Sequence, residues 1–255
     1  MYKIDLNCDL GESFGAYTIG NDAEVIPYIS SANIACGFHA SDPIVMKKTV
    51  ETCVLNGKAI GAHPGFYDLM GFGRRQMNIT PAEAKAYVMY QVGALDAFCK
   101  AEGVSMQHVK PHGALYNMAG KDYELARGVC EGIYDVNPEL IMYVLSGSQM
   151  QKAALDTGLK VAREVFADRG YMPDGSLVPR GQEGAMITDE DEAISRVIRM
   201  VKEHKVEAVD GTNVEIIPDS VCVHGDGEKA ILFVKKLNEA FESEGIDKVP
   251  TSKFI

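Results

Sequence analysis

The 255-residue sequence contains no tryptophan and has fewer basic than acidic residues, with 25 lysines and arginines against 36 aspartates and glutamates. The resulting net charge of −11 repels phosphate backbones and anionic bilayers. We therefore expect neither nucleic acid nor a membrane as a partner. A small anionic substrate is compatible with this charge, because a few arginines in a cleft can override it locally.

Long apolar segments are also missing. No run of about 18 apolar residues occurs, so no membrane-spanning helix is predicted. The opening MYKIDLNCDLGE has neither the basic start nor the apolar run of a signal peptide. The six cysteines are scattered without a CxxC pair, which is typical of small buried side chains in a reducing compartment. These features predict a cytoplasmic protein.

Two nucleotide-binding patterns are absent. The sequence has no G-x-x-x-x-G-K-[ST], which excludes a P-loop, and no G-x-G-x-x-G after its first apolar segment, which argues against a dinucleotide-binding fold. Seven segments are predicted as strands, each followed by a helical pattern: Tyr2–Asn7, Ala32–Cys36, Lys58–Ala62, Gln107–Lys110, Leu140–Leu145, Lys160–Phe166 and Ser220–Val223. Because such crossovers keep strands parallel, we predict one α/β domain over 1–255, a (β/α) barrel of about seven parallel strands. A doubly wound open sheet is the alternative.

Local signals place several element ends. Asp42 is predicted to cap a helix whose first residue is Pro43, and the segment from Thr80 to Glu83 reads as a capping box. Thr188 is predicted to cap a helix that ends near His204. Outside the strand–helix repeat, Asp210-Gly211 predicts the turn of a hairpin between Val206–Val209 and Val214–Ile217.

Titratable residues collect just after the predicted strands. They are His39, His63, His112, His224, Asp9, Asp168 and Asp226. The C-terminal ends of barrel strands form one rim, where active sites lie, so we expect a catalytic or ligand-binding rim. Strand alternation puts Asp5, Asn7 and Asp9 on the inward face. It likewise puts Lys110 near the mouth and His108 deeper, as a hydrogen-bonded core histidine.

Glycine recurs beside the rim histidines, as in Gly61-Ala62-His63-Pro64-Gly65 and Pro111-His112-Gly113. Tight turns explain the glycines alone but not the histidines beside them, whereas close approach of backbone to a ligand explains both. Arginine side chains at Arg74, Arg169 and Arg180 could bind carboxylate or phosphate. For Arg75, a solvated surface charge is an equally good interpretation.

Seven stretches together carry a resemblance to a known family. They are Asp5–Glu12, Ala32–His39, Gly61–Gly65, Gly71–Arg75, Val109–Tyr116, Glu164–Arg169 and Val223–Asp226. In this order, over almost the whole chain, they resemble the LamB/YcsF family. Ser41 departs from that pattern, since the family usually has glycine there, and Gly227 replaces an expected small polar residue.

The resemblance implies a barrel of the glycoside hydrolase/deacetylase type. It also implies the opening of the 5-oxo-L-proline lactam to L-glutamate, coupled to ATP hydrolysis, with partner subunits B and C. ATP could bind on a partner, since this chain has no P-loop. Catalytic roles are then expected for Asp9, His63, Lys110 and His112, and Lys110 is expected to contact an anionic group. Substrate-binding roles are expected for Asn7, Glu12, His39, Arg74, Asp168, Arg169, His224 and Asp226.

A divalent metal is a further possibility, because deacetylases of this barrel type use an Asp-His-His site. Asp9, His39 and His63 could supply such a site, since carboxylate and imidazole suit zinc or manganese. One alternative function is a metal-dependent deacetylase or amidohydrolase that acts alone, without ATP. Another is a non-enzymatic barrel that binds a small acid and regulates its partners.

Overall fold

The computed structural model describes residues 2–223 and 228–255, in which ten strands alternate with helices. The strands are β1 (Tyr2–Leu10), β2 (Ser31–Ala35), β3 (Ala59–His63), β4 (His108–Val109), β5 (Ile141–Leu145), β6 (Lys160–Phe166), β7 (Lys205–Glu207), β8 (Asn213–Glu215), β9 (Ser220–Val223) and β10 (Ile246–Lys248). Strands β1 to β6 pair in order, all parallel, and β9 pairs with both β6 and β1. This closes a barrel of seven parallel strands, which confirms the predicted fold and rules out the open sheet.

Helices follow the barrel strands and cover them. They are α1 (Asp22–Val25), α2 (Pro43–Leu55), α3 (Pro81–Ala101), α4 (Gly113–Ala119), α5 (Tyr123–Val136), α6 (Gln149–Thr157), α7 (Glu190–Glu203) and α8 (Glu228–Ser243), with short 3₁₀ turns at Ile26–Tyr28 and Thr251–Lys253. None of them, within the described residues, is both long and apolar enough to cross a bilayer.

The caps of α2 and α3 are confirmed. The Asp42 carboxylate accepts from the backbone N–H groups of Ile44 and Val45, at 2.8 and 3.0 Å. Thr80 and Glu83 form the reciprocal capping box. The cap of α7 was predicted one residue too early, at Thr188. Asp189 holds that position and accepts from the Glu192 N–H at 2.8 Å.

Three short elements lie outside the simple repeat. The predicted hairpin is confirmed, since β7 and β8 pair antiparallel. The strand β10, which pairs parallel with Tyr2–Ile4 at the start of β1, was not predicted, and neither was the short helix α4. Both are short, and β10 is identified only by its pairing with the other end of the chain.

The alternation of β1 positions the site. Ile4 and Leu6 belong to the apolar core, whereas the Asp5 carboxylate turns inward and accepts from the hydroxyls of Ser30 and Ser31, both at 2.6 Å. Burial raises the pKa of Asp5. All six cysteines are free and buried, which confirms the expectation for them. The polar face of β1 therefore leads along the barrel interior to Asp9 at the rim.

Candidate active site

Six side chains from four consecutive barrel segments meet at the C-terminal rim. Asp9 and Glu12 come from the end of β1 and the loop after it, and His39 comes from the loop after β2. His63 ends β3, and Lys110 and His112 follow β4: the set is Asp9, Glu12, His39, His63, Lys110 and His112. Glu12, Lys110 and the three histidines are buried, while Asp9 keeps 12% of its side chain exposed. Solvent reaches this group mainly at Asp9.

The Lys110 ammonium is held at three points. Its Nζ lies 2.9 Å from Asp9 Oδ1, 2.9 Å from Glu164 Oε1 and 3.0 Å from Cys222 Sγ. Burial lowers the pKa of Lys110, but the charge of Asp9, together with that of Glu164, outweighs burial and raises the pKa well above its ordinary value. Lys110 is therefore a permanent cation.

Backbone carbonyls fix the tautomers of two histidines. His63 Nδ1 lies 2.6 Å from the carbonyl oxygen of Lys110, and His112 Nε2 lies 2.8 Å from that of Phe72. A carbonyl oxygen only accepts, so these two ring nitrogens must carry hydrogen. In the neutral rings the opposite nitrogens, His63 Nε2 and His112 Nδ1, are then lone pairs.

Those two lone pairs face each other. His63 Nε2 and His112 Nδ1 are 2.9 Å apart, and Asp9 Oδ2 lies 3.3 Å from the same His63 nitrogen. Two acceptors at that distance repel unless a positive species lies between or beside them. Burial, with the neighbouring His39, lowers the pKa of His112 well below its usual value. The geometry therefore calls for one shared proton or a bound cation.

His39 packs against this pair. Its ring stacks on His112 with centroids 3.7 Å apart, and its Nε2 lies 3.1 Å from Glu12 Oε1. Burial lowers the pKa of His39 well below the ordinary value, so the ring is neutral at pH 7. Its Nδ1 is buried and has no hydrogen-bond partner among the described residues.

The glycines beside the histidines allow this packing. A Cβ on Gly73 would lie 2.7 Å from His39 Cβ and 2.8 Å from His112 Cδ2, and a Cβ on Gly65 would lie 2.7 Å from His39 Nδ1. Gly65 is therefore explained by the close approach of the His39 side chain, whereas Gly73 is required both by this packing and by its φ of 63°. Phe72 has φ 53° and Ser41 has φ 76°, in the left-handed region that favours glycine. The strained Phe72 backbone presents its carbonyl to His112, and Ser41 occupies a position where glycine would be unstrained.

An inner layer of polar side chains supports the rim. The Asn33 amide donates to Asn7 Oδ1 at 2.7 Å and to Asp9 Oδ1 at 2.8 Å, and Asn33 Oδ1 pairs with His108 Nε2 at 2.7 Å. Burial lowers the pKa of His108 to about 3, so this ring stays neutral and structural. Asp9 is therefore positioned by both Lys110 and Asn33.

Four of the rim residues fit a metal ion. One donor atom from each of Glu12, His39, His63 and His112 lies within 4.8 Å of the others. His63 and His112 show the arrangement typical of metal-ligating histidines, in which the second ring nitrogen donates to a backbone carbonyl. Asp9, which the sequence placed in the metal set, is not part of this group of four, although it lies 3.3 Å from His63.

Other expected site residues are not members of the cluster. Arg74 is exposed, with its guanidinium 5.1 Å from the centre of the Phe72 ring. Arg169 is buried and donates to the backbone carbonyls of Ala185 and Val178, so it organises the loop after β6. Asp168 is half-buried beside it. His224, Asp226 and Gly227 lie outside the described residues.

Two interior residues were not predicted from the sequence. Glu164, fully buried in β6, pairs with Lys110, and the buried Tyr116 lies close to it. Burial, and then the charge of Glu164, raises the pKa of Tyr116. A glutamate at an alternate position to the apolar Val165 in a predicted barrel strand was the available signal for Glu164. Ser13 lies in a G-x-S-x-G pattern, but its hydroxyl pairs with the backbone of Ile19 in an exposed loop, so it does not form a nucleophile elbow.

Comparison with known proteins adds the family. The model of the LamB/YcsF family matches residues 4–255. The chain is 65% identical over 253 residues to a Clostridium beijerinckii protein that is named as the A subunit of 5-oxoprolinase. It is 56% identical over 253 residues to a Pyrococcus abyssi protein with the same name. Each comparison covers 99% of both chains.

A solved structure agrees with these matches. The lactam utilization protein from Thermus thermophilus superposes with a TM-score of 0.92 at 46% identity, covering 97% of this chain and 99% of that one. Identity at this level over the full length goes beyond a shared barrel architecture. This chain belongs to the LamB/YcsF family.

Proposed function

We propose that this chain is the A subunit of an ATP-dependent 5-oxoprolinase, an enzyme that opens the 5-oxo-L-proline lactam to L-glutamate. The single observation that carries the proposal is the rim, where Asp9 is partly exposed and is oriented by Lys110 and Asn33. Relatives at 56–65% identity over nearly the full length bear the name of this subunit. The rim supplies what lactam opening needs, namely a base, a proton-carrying pair and a fixed positive charge.

The residues divide the chemistry between them. A five-membered lactam is a stable amide, so its oxygen must be activated before water attacks, and phosphorylation by ATP would do this. Asp9 would take the proton from the attacking water, and Lys110 would face the oxygen that gains negative charge. The His63–His112 pair would return a proton to the ring nitrogen as the C–N bond breaks, which leaves the free amine and a γ-glutamyl phosphate. A second water would then hydrolyse this acyl phosphate to glutamate and inorganic phosphate.

A divalent cation is the alternative to a shared proton at this rim, because an ion bound by His63 and His112 would occupy the lone pairs that otherwise carry the proton. Glu12, His39, His63 and His112 would hold it, and when bound it would polarise the lactam oxygen as a Lewis acid. The two carbonyl-anchored histidines support this assignment, because their facing lone pairs need a positive species. The same cluster is the observation that favours the alternative function, a metal-dependent amidohydrolase that acts without ATP.

Metal binding has a readout that is independent of activity. We expect the metal-stripped chain to bind about one Zn²⁺ or Mn²⁺ in a calorimetric titration, because an ion would separate the two lone pairs. Glu12→Gln and His112→Ala should each weaken that binding at least ~10-fold. Loss of an outer-shell contact already lowers metal affinity by about this factor, and loss of a direct ligand should lower it at least as much. The exposed His204, replaced by alanine, is the control. Equal affinity in all variants, or no binding, would remove the metal and leave a shared proton.

Loss of Lys110 should affect both stability and turnover. Lys110→Met leaves the buried Glu164 and Asp9 without their cation, so the free energy of unfolding should fall by about 3–5 kcal/mol. The double variant Lys110→Met/Glu164→Gln should recover most of the melting temperature, because the buried charge is gone, but not the turnover. Recovery of both would assign Lys110 a purely structural role.

The remaining assignments concern the surroundings of the reaction. We propose that subunits B and C complete the enzyme, that ATP binds on a partner or at the interface, and that the complex is cytoplasmic.

Arg74 is proposed to bind the substrate carboxylate, since it is exposed next to the rim and has no ion pair with any described residue. The test supplies the reconstituted complex with 5-oxo-L-proline and with 2-pyrrolidinone, which lacks the carboxylate. Coupled glutamate and ADP release from 5-oxo-L-proline alone is expected, and indifference to the carboxylate would contradict the assignment.

A further inference from the structure

Large apolar side chains concentrate on one side of the rim. Of the seventeen exposed large hydrophobic residues in the described part of the chain, six lie in the two loops after β1 and β3. Four of those six, with one residue from α2 and one from α3, are referred to as the rim patch: Phe14, Tyr17, Ile44, Tyr67, Met70 and Tyr90. Met70 is 91% exposed and Tyr17 is 74% exposed. Exposed single hydrophobics are ordinary, but a concentration of them on one side of the molecule is typical of an interaction surface.

Contacts join members of the rim patch into two groups, one on each side of the loop after β2. The Phe38 ring packs against Tyr67 at 5.0 Å and stacks on Tyr90 at 5.3 Å, which joins the loop after β3 to α3. On the other side, the backbone N–H of Gly15 donates to Asp42 at 2.8 Å, which fixes the Phe14–Tyr17 turn beside the start of α2, where Ile44 lies. Phe38 is also the residue before His39, so the rim patch borders the catalytic cluster directly.

Size and charge restrict what can cover this surface. From the sizes of its side chains, the rim patch exposes on the order of 800 Å², about what one partner contributes to a stable protein–protein interface. The exposed charged side chains of the loops 13–19 and 66–75 are Arg74 and Arg75, and Arg75 is paired with the buried Asp68. Arg74 leaves these loops with a net positive charge, although the whole chain has a net charge of −11. Tyrosine, methionine and arginine are the residue types enriched in such interfaces.

We infer that the rim patch is the docking surface for a second, non-identical subunit of the proposed 5-oxoprolinase, one that presents apolar side chains bordered by carboxylates. The inference rests on the proposed function, because activation of the lactam by ATP must take place within reach of the ring-opening rim. A partner on this patch would lie over the loops that carry His39 and Phe72. A second copy of this chain fits less well, since its own patch would bring Arg74 to the interface and no exposed carboxylate from these loops to meet it.

Reconstitution with purified subunits B and C tests the surface. Binding to this chain is measured by biolayer interferometry for the wild type, Met70→Glu and Tyr67→Ser. The matched control is Leu55→Glu, because Leu55 is 86% exposed at the opposite end of α2 and outside the patch. None of these residues belongs to the catalytic cluster, and melting temperatures verify that each variant is folded.

We expect Met70→Glu and Tyr67→Ser each to raise the dissociation constant at least ~10-fold, as loss of an interface anchor does, with Leu55→Glu unchanged. Wild-type binding that survives both patch variants would overturn the docking surface and leave the proposed function intact. Failure of the wild type to bind either partner would overturn both. Self-association of the chain that Met70→Glu abolishes, with partner binding unaffected, would overturn the inference in favour of a homodimer face.

Discussion

Replacing Asp9 by asparagine should lower glutamate formation by the assembled enzyme at least ~100-fold, the loss expected for a positioned acid–base group. Asparagine has the same shape and keeps an acceptor oxygen for the Asn33 amide and the Lys110 ammonium, which contact Asp9 at 2.8 and 2.9 Å. The fold should therefore survive, and only the ability to take a proton is lost. The measurement is steady-state turnover together with the melting temperature.

His63→Ala should have an effect of similar size, since His63 joins Asp9 to His112. Asp5→Asn is the matched control. Asp5 lies on the same inward face of β1, but it is fully buried among hydroxyl groups away from the rim, so its loss should change stability rather than turnover of the folded protein. Near-wild-type rates for both Asp9→Asn and His63→Ala would remove this cluster from consideration as the active site.

Turnover of 5-oxo-L-proline is expected to depend on the partner subunits B and C. The isolated chain should hydrolyse 5-oxo-L-proline negligibly, even with ATP and magnesium, because its sequence has no P-loop and a lactam needs activation before its ring opens. Subunits B and C should restore glutamate formation with coupled ATP cleavage. The physical reason is a division of labour, in which phosphoryl transfer depends on the partners and ring opening takes place on this rim.

Strand alternation and cap chemistry were readable in the sequence. The inward face of β1, the capping box at Thr80 and the position of His108 in the interior follow from side-chain order alone. Those rules concern neighbours along the chain, so they predict the structure correctly wherever local geometry determines the direction of a side chain or the end of a helix. They fail by a residue when two capping residues are adjacent, as at Thr188 and Asp189.

Other parts of the site depend on closure of the barrel. Glu164 pairs with Lys110 across the barrel interior, although the two residues are 54 positions apart in the sequence. No local pattern predicts the strand register that brings them together. The tautomers of His63 and His112 are set by carbonyls of Lys110 and Phe72, which side-chain patterns do not reveal. The rim patch was not predicted for the same reason, since its members lie in separate loops and helices that only the fold brings to one side of the rim.

The rim of this chain is expected to open the lactam only within an ATP-hydrolysing complex. The most direct measurement is glutamate and ADP release from 5-oxo-L-proline for every combination of this chain with subunits B and C, run in parallel with the Asp9→Asn chain. We predict coupled release of both products by the complete wild-type set, none by this chain alone, and at least ~100-fold less glutamate from the complete set that contains Asp9→Asn. Robust ring opening by the isolated chain without ATP, or undiminished glutamate with Asp9→Asn, would contradict the claim.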